Sequence, residues 1–139
     1  MTDEAKPGTV QDKPRGRVLV VDDDPLVGSA LSRALASQHE VTVMQDAQAA
    51  LGRLTGGESF DVILCDLLMP AMTGMELHAA IAARAPALAE RMVFLTGGAY
   101  TDAARAFVEQ AGVTCVEKPF ELAGLRALVN ARVQAARAG

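Results

Sequence analysis

FDVILCDLLMP, Phe60–Pro70, is the stretch whose reading decides the fold. Val62-Ile63-Leu64-Cys65 is a short apolar run of the kind that forms a buried strand. It ends on an acid, Asp66, which at the mouth of such a strand must be either satisfied or useful. Three other apolar runs end in the same way. Arg17–Val21 runs into Asp22-Asp23-Asp24, Met92–Leu95 into Thr96, and Val113–Val116 leads to Lys118.

Between these runs lie segments with helical spacing. Asp24 followed by Pro25 is an N-cap with a first-turn proline, and Val27, Leu31, Ala34 and Leu35 then recur on one helical face. Glu40–Met44 reads as a further strand. Asp46 caps a short helix that ends at Thr55-Gly56-Gly57. Thr73 with Glu76 three residues on is a capping box opening a helix that stops before Pro86. A helix over about Thr101–Ala111 ends at Gly112. The last helix runs from Glu121 to about Ala136 with Leu122, Leu125, Leu128 and Val129 inward. Five strands alternating with five helices predict right-handed βαβ units: an α/β fold with a parallel sheet and helices on both faces. Strands covered on both faces should read as continuous apolar runs, as these do.

Length and composition agree. The chain has 139 residues and half are apolar, which suits one domain with an ordinary core. Residues 1–15 mix Lys, Asp, Pro and Gly without periodicity and read as a flexible tail, leaving a domain over 16–137. A net charge of −4 does not favour direct nucleic-acid binding. No apolar stretch approaches the roughly 20 residues of a membrane span, and the N-terminus is unlike a secretory signal. Cys65 and Cys115 have no metal-type spacing. On strands separated by one other they would lie about 9–10 Å apart, beyond disulfide reach, so both read as free thiols of a cytoplasmic protein. His39 and His78 lack partners at ligand spacing and are assigned to the surface, as are Arg126, Arg132 and Arg137 of the last helix.

In an open parallel sheet, ligands bind beyond the carboxyl ends of the strands, and all four acid, hydroxyl or lysine ends fall on that edge. Carboxylates gathered there repel, so one takes a proton unless a cation enters. An all-oxygen set suits a hard ion such as Mg²⁺, which takes one or two carboxylates and keeps waters. Asp23 and Asp66 are the expected direct ligands. Asp22 acts through water, Asp24 caps the helix, and the backbone carbonyl of Leu68 adds a ligand. A metal ion, the Lys118 ammonium and the Thr96 hydroxyl around one carboxylate form a cradle for a transferring phosphoryl group. No Ser, Cys or His is paired with a base, which leaves Asp66 as the nucleophile and an aspartyl phosphate as the product.

With these residues in place, VLVVDDDP (18–25), DVILCDLLMPAMTGMEL (61–77), MVFLTGG (92–98) and VEKPF (116–120) resemble the response-regulator receiver domain of two-component signalling. The resemblance covers roughly residues 17–134. It implies sheet order 2-1-3-4-5, a cis Lys118–Pro119 bond and phosphoryl transfer from a histidine kinase or phosphotransfer protein to Asp66. It also implies a Thr96 switch and a downstream protein partner. The module would catalyse only its own phosphorylation and dephosphorylation. LTGGAY and CVEKPF resemble receivers attached to hybrid sensor kinases more than those attached to DNA-binding domains. No output domain follows the last helix, so output is expected through a partner or a separate domain.

Three positions depart from the family pattern. Cys115 stands where an aromatic switch residue is common, and Tyr100 is a candidate replacement. Leu68 and Gly98 flank the path of a hydrolytic water, and the apolar Leu68 implies slow to moderate autodephosphorylation. Two rival readings are an aspartyl-phosphate phosphatase, which would want an acid where Leu68 stands, and an unphosphorylated scaffold receiver.

Overall fold

The computed structural model describes residues 15–97 and 101–138. The tail assigned to residues 1–15 falls, but for Arg15, outside the described residues, as do Gly98 and Tyr100. Five strands and six helices follow in order: β1 (Arg17–Val21), α1 (Pro25–Leu35), β2 (Glu40–Met44), α2 (Ala47–Thr55), β3 (Val62–Asp66), α3 (Gly74–Arg84), α4 (Pro86–Ala89), β4 (Met92–Thr96), α5 (Asp102–Ala111), β5 (Thr114–Glu117) and α6 (Leu122–Ala138). All strand pairs are parallel, in the order β2-β1-β3-β4-β5.

Side-chain alternation along the strands builds two cores. Val18, Val20, Val62, Leu64, Val93 and Leu95 face α1 and α6 through Leu31, Leu35, Leu125, Val129 and Val133. Leu19, Val21, Ile63, Cys65, Met92 and Phe94 face α2 to α5. The caps fall where the sequence puts them. Asp24 accepts from the Leu26 N–H, Asp46 from the Gln48 N–H, and Thr73 and Glu76 exchange both bonds of a capping box. Gly112 closes α5 at φ 66°, a left-handed conformation that glycine adopts without steric cost.

Several expectations are corrected. The described residues form six helices, not five, because Pro86 does not merely stop α3 but opens the single turn α4, where proline's fixed φ is pre-set for the first helical position. Asp66 and Thr96 are the last residues of their strands rather than the first beyond them. Edge strand β2 is half-exposed, because only one side of it has a neighbour. Leu122 is exposed at the first turn of α6, and Val133 takes the inward position instead.

His39 is not a surface residue: it is buried. Its Nδ1 accepts from the Gly16 N–H at 3.0 Å, and its Nε2 lies 2.6 Å from Asn130 Oδ1, tying the entry of β1 to α6. His78 is half-buried against the rings of Phe94 and Phe107, and burial holds its pKa below the ordinary value. Metal-ligand spacing could not reveal either environment, because the partners lie far away in sequence. The arginines of α6 also reach back. Arg126 donates to the Ala34 carbonyl, Arg132 to Thr114, and Arg137 to Asp61. Long aliphatic stems let such heads find partners across an element. Cys65 and Cys115 are free, with β4 between their strands.

Candidate functional site

The carboxyl ends of β1, β3, β4 and β5 bring the four sequence features to one edge. Asp22 follows β1 and is fully buried. Its Oδ1 accepts from the Asp24 N–H at 2.9 Å, and its Oδ2 from Lys118 Nζ at 2.9 Å. Both oxygens therefore have a donor, as a buried carboxylate requires. Asp23, next in the chain, is exposed. Oxygens of Asp22, Asp23 and Asp66 lie within 4.8 Å of one another.

Asp66 ends β3 with its side chain only 10% exposed, and Lys118 Nζ stands 3.7 Å away. Burial and then the neighbouring Asp22 push its pKa up to about 6; Lys118 and the Leu68 N–H, which hydrogen-bonds the carboxylate, offset part of this. Leu68 itself is exposed at the mouth. The backbone beside Asp66 is tightly enclosed: a Cβ on Gly74 would stand 2.6 Å from the Asp66 carbonyl oxygen, so only glycine lets α3 begin so close to β3.

Lys118 follows β5, and its N–H donates to the Thr96 carbonyl at 2.6 Å. The Lys118–Pro119 bond is cis, as the resemblance implied. Burial tends to lower the lysine's pKa, but its hydrogen bond to Asp22 and the charges of Asp66, Asp22 and Asp24 outweigh this and raise the value overall. Thr96 is buried at the end of β4, and its Oγ1 has no hydrogen-bond partner among the described residues. A buried hydroxyl without a partner costs free energy in this state and is open to a ligand oxygen.

Asp22, Asp23, Asp66, Thr96 and Lys118 thus collect at one edge of the sheet. The donor set fits a hard divalent cation: it is all oxygen and carries three carboxylates against one lysine. Burial and Asp22 raise the Asp66 pKa by more than Lys118 lowers it, which a bound cation would offset. The structure adds two things the sequence did not show, the direct pairing of Lys118 with Asp22 and the unpartnered state of the Thr96 hydroxyl. The first was invisible because the partners lie 96 residues apart.

Comparison with known proteins agrees with this geometry. The DNA-binding transcriptional regulator NtrC of Escherichia coli (strain K12) is 33% identical over 116 residues, 84% of this chain and 24% of that protein. The transcriptional regulatory protein FixJ of Bradyrhizobium diazoefficiens is 31% identical over 123 residues, 88% of this chain and 58% of that one. The chain thus spans about a quarter of NtrC and little more than half of FixJ. Both are named as transcriptional regulators, so they lend no support to the hybrid-kinase likeness. A response regulator receiver domain protein (CheY-like) from Methanospirillum hungatei JF-1 superposes with a TM-score of 0.76 at 25% identity, covering 90% of this chain and 98% of that one. The family model of the response regulator receiver domain matches residues 18–130, and the chain belongs to that family, the receiver domains of two-component systems.

Proposed function

We propose that this receiver, folded over residues 16–137, accepts a phosphoryl group on Asp66 from a histidine kinase or phosphotransfer protein in the cytoplasm. It then presents a changed surface to a downstream protein. The observation that carries this is Lys118 Nζ lying 2.9 Å from Asp22 and 3.7 Å from Asp66, a cation held beside the carboxylate that must react. At neutral pH, a pKa of about 6 leaves most Asp66 ionised and nucleophilic. One of its oxygens attacks phosphorus; the new O–P bond forms as the donor's N–P bond, or the O–P bond of acetyl phosphate, breaks. The leaving group keeps the electron pair. Lys118 counters the charge growing on the phosphoryl oxygens, and the Thr96 hydroxyl donates to one of them.

Asp22, Asp23, Asp66 and the Leu68 carbonyl are the residues that would hold Mg²⁺, with Asp22 reached through water. When bound, the ion neutralises the acids and the transferring group. The chain would act on no other substrate. The phosphatase alternative lacks its acid, because Leu68 stands in that position.

Incubation with acetyl phosphate and Mg²⁺, followed by intact-mass measurement, should show one phosphoryl adduct on the wild type. None should form on Asp66→Asn. An adduct that persists in that variant would move the acceptor elsewhere. The same preparation tests Leu68. An exposed apolar side chain at the mouth orients a hydrolytic water poorly, so Leu68→Asn should lose phosphate faster, on the order of tenfold, as positioning effects do. An unchanged half-life would remove Leu68 from the explanation.

A further inference from the structure

The Thr96 hydroxyl, without a partner among the described residues, ends a strand whose middle is braced by rings. Phe94 stands two residues earlier on β4, so its side chain projects from the same face of the sheet as that of Thr96. Phe94 is fully buried and meets Phe107 of α5 edge-to-face, with centroids 5.3 Å apart at 89°. His78 of α3 closes the cluster, 5.3 Å from Phe107 and 5.9 Å from Phe94. Helix α5 is otherwise lightly held. Ala104 is its one buried residue, and only Phe107 and Val108 are half-buried beside it. Across the ladder, Phe94 stands opposite Cys115, whose small side chain packs into the same core.

We propose that Phe107 is a positioning residue that couples α5 to the Thr96 end of β4, so that engagement of Thr96 by a phosphoryl group on Asp66 is passed to α5 through Phe94 and Phe107, without a contribution from residue 115. This rests on the reading of Asp66 as phosphoacceptor. The physical ground is close packing. A fully buried ring in edge-to-face contact shifts with its neighbour, and of the two helices that touch it α5 buries one residue against three in α3 and is the freer to move. His78, on the well-anchored α3, is the fixed side of the cluster.

The test compares amide hydrogen exchange of α5, with and without acetyl phosphate and Mg²⁺, in the full chain and its variants, with intact mass reporting the adduct in each. The chain has four phenylalanines, so 4-fluorophenylalanine labelling gives four resonances, one of them from Phe107. Phosphorylation should change α5 exchange about threefold to tenfold in the wild type, in Cys115→Ala and in Tyr100→Leu, and should move the Phe107 resonance. Phe107→Leu should keep its adduct and lose the α5 response, and Phe107→Tyr, which keeps the ring, should recover it. A full response in Phe107→Leu, or loss of it in Cys115→Ala or Tyr100→Leu, overturns the proposal. A still Phe107 resonance on phosphorylated wild type does the same, whether or not the leucine variant folds. Absence of any adduct on the wild type instead defeats the reading of Asp66, and this inference with it.

Discussion

Lys118→Met is expected to cost the magnesium-free protein about 3 kcal/mol of folding stability, because it leaves a buried acid pair without its cation. Asp22 is fully buried and receives the lysine directly, and Asp66 lies next to both. Methionine keeps the length of the stem, so packing changes little and the loss is electrostatic. Because its partners raise the lysine's pKa, its contribution is complete below the ordinary value of 10.5 and disappears only as pH rises through the higher folded value. The effect therefore spans the neutral range. Millimolar Mg²⁺ should restore part of the loss, since a second cation can enter the same cluster. Urea titrations of wild type and variant, with Mg²⁺ and with a chelator, measure both quantities. Equal stabilities in the chelator would mean that the pair contributes nothing net.

Asp66→Asn should do the opposite. The wild-type carboxyl has a pKa of about 6 in the fold against an ordinary 3.8. The folded state binds this proton more tightly than the unfolded chain. The resulting stability is present in full below 3.8 and is lost as pH rises through about 6. At pH 8 without metal, the ionised acid thus costs about 2–3 kcal/mol, which a neutral amide of the same shape avoids. The variant should melt roughly 5–10 °C above the wild type under those conditions. The gap should close as pH falls to about 4, and it should shrink when Mg²⁺ supplies the missing charge. A variant that melts no higher than wild type at pH 8 in a chelator would show that Asp66 is not held at a cost. Together the two substitutions separate the acid proposed to react from the cation that offsets the cost of ionising it.

Much of this was legible before any coordinates. The apolar runs gave the strands to within two residues, because a strand covered on both faces needs nothing but apolar side chains. Asp24, Asp46, Thr73 and Gly112 marked helix ends correctly, because caps are local chemistry. The errors have a common origin. His39 and His78 were misplaced because their surroundings, Gly16 with Asn130 and Phe94 with Phe107, come from other elements. Pro86 was read as a stop when it is also a start, since proline suits both the residue after one helix and the first turn of the next.

The sequence alone determined the alternation of strand and helix, the edge at which Asp22, Asp23, Asp66, Thr96 and Lys118 collect, and the chemistry that such side chains can perform. Each is a matter of local pattern and residue type. Only the tertiary structure decided how charge is shared within that edge. Lys118 reaches Asp22 more closely than Asp66, Asp66 is left with a raised pKa, and the Thr96 hydroxyl is left without a partner among the described residues. These depend on distances of a few ångströms between residues many positions apart, at a depth where water no longer screens them, and no spacing along the chain records that.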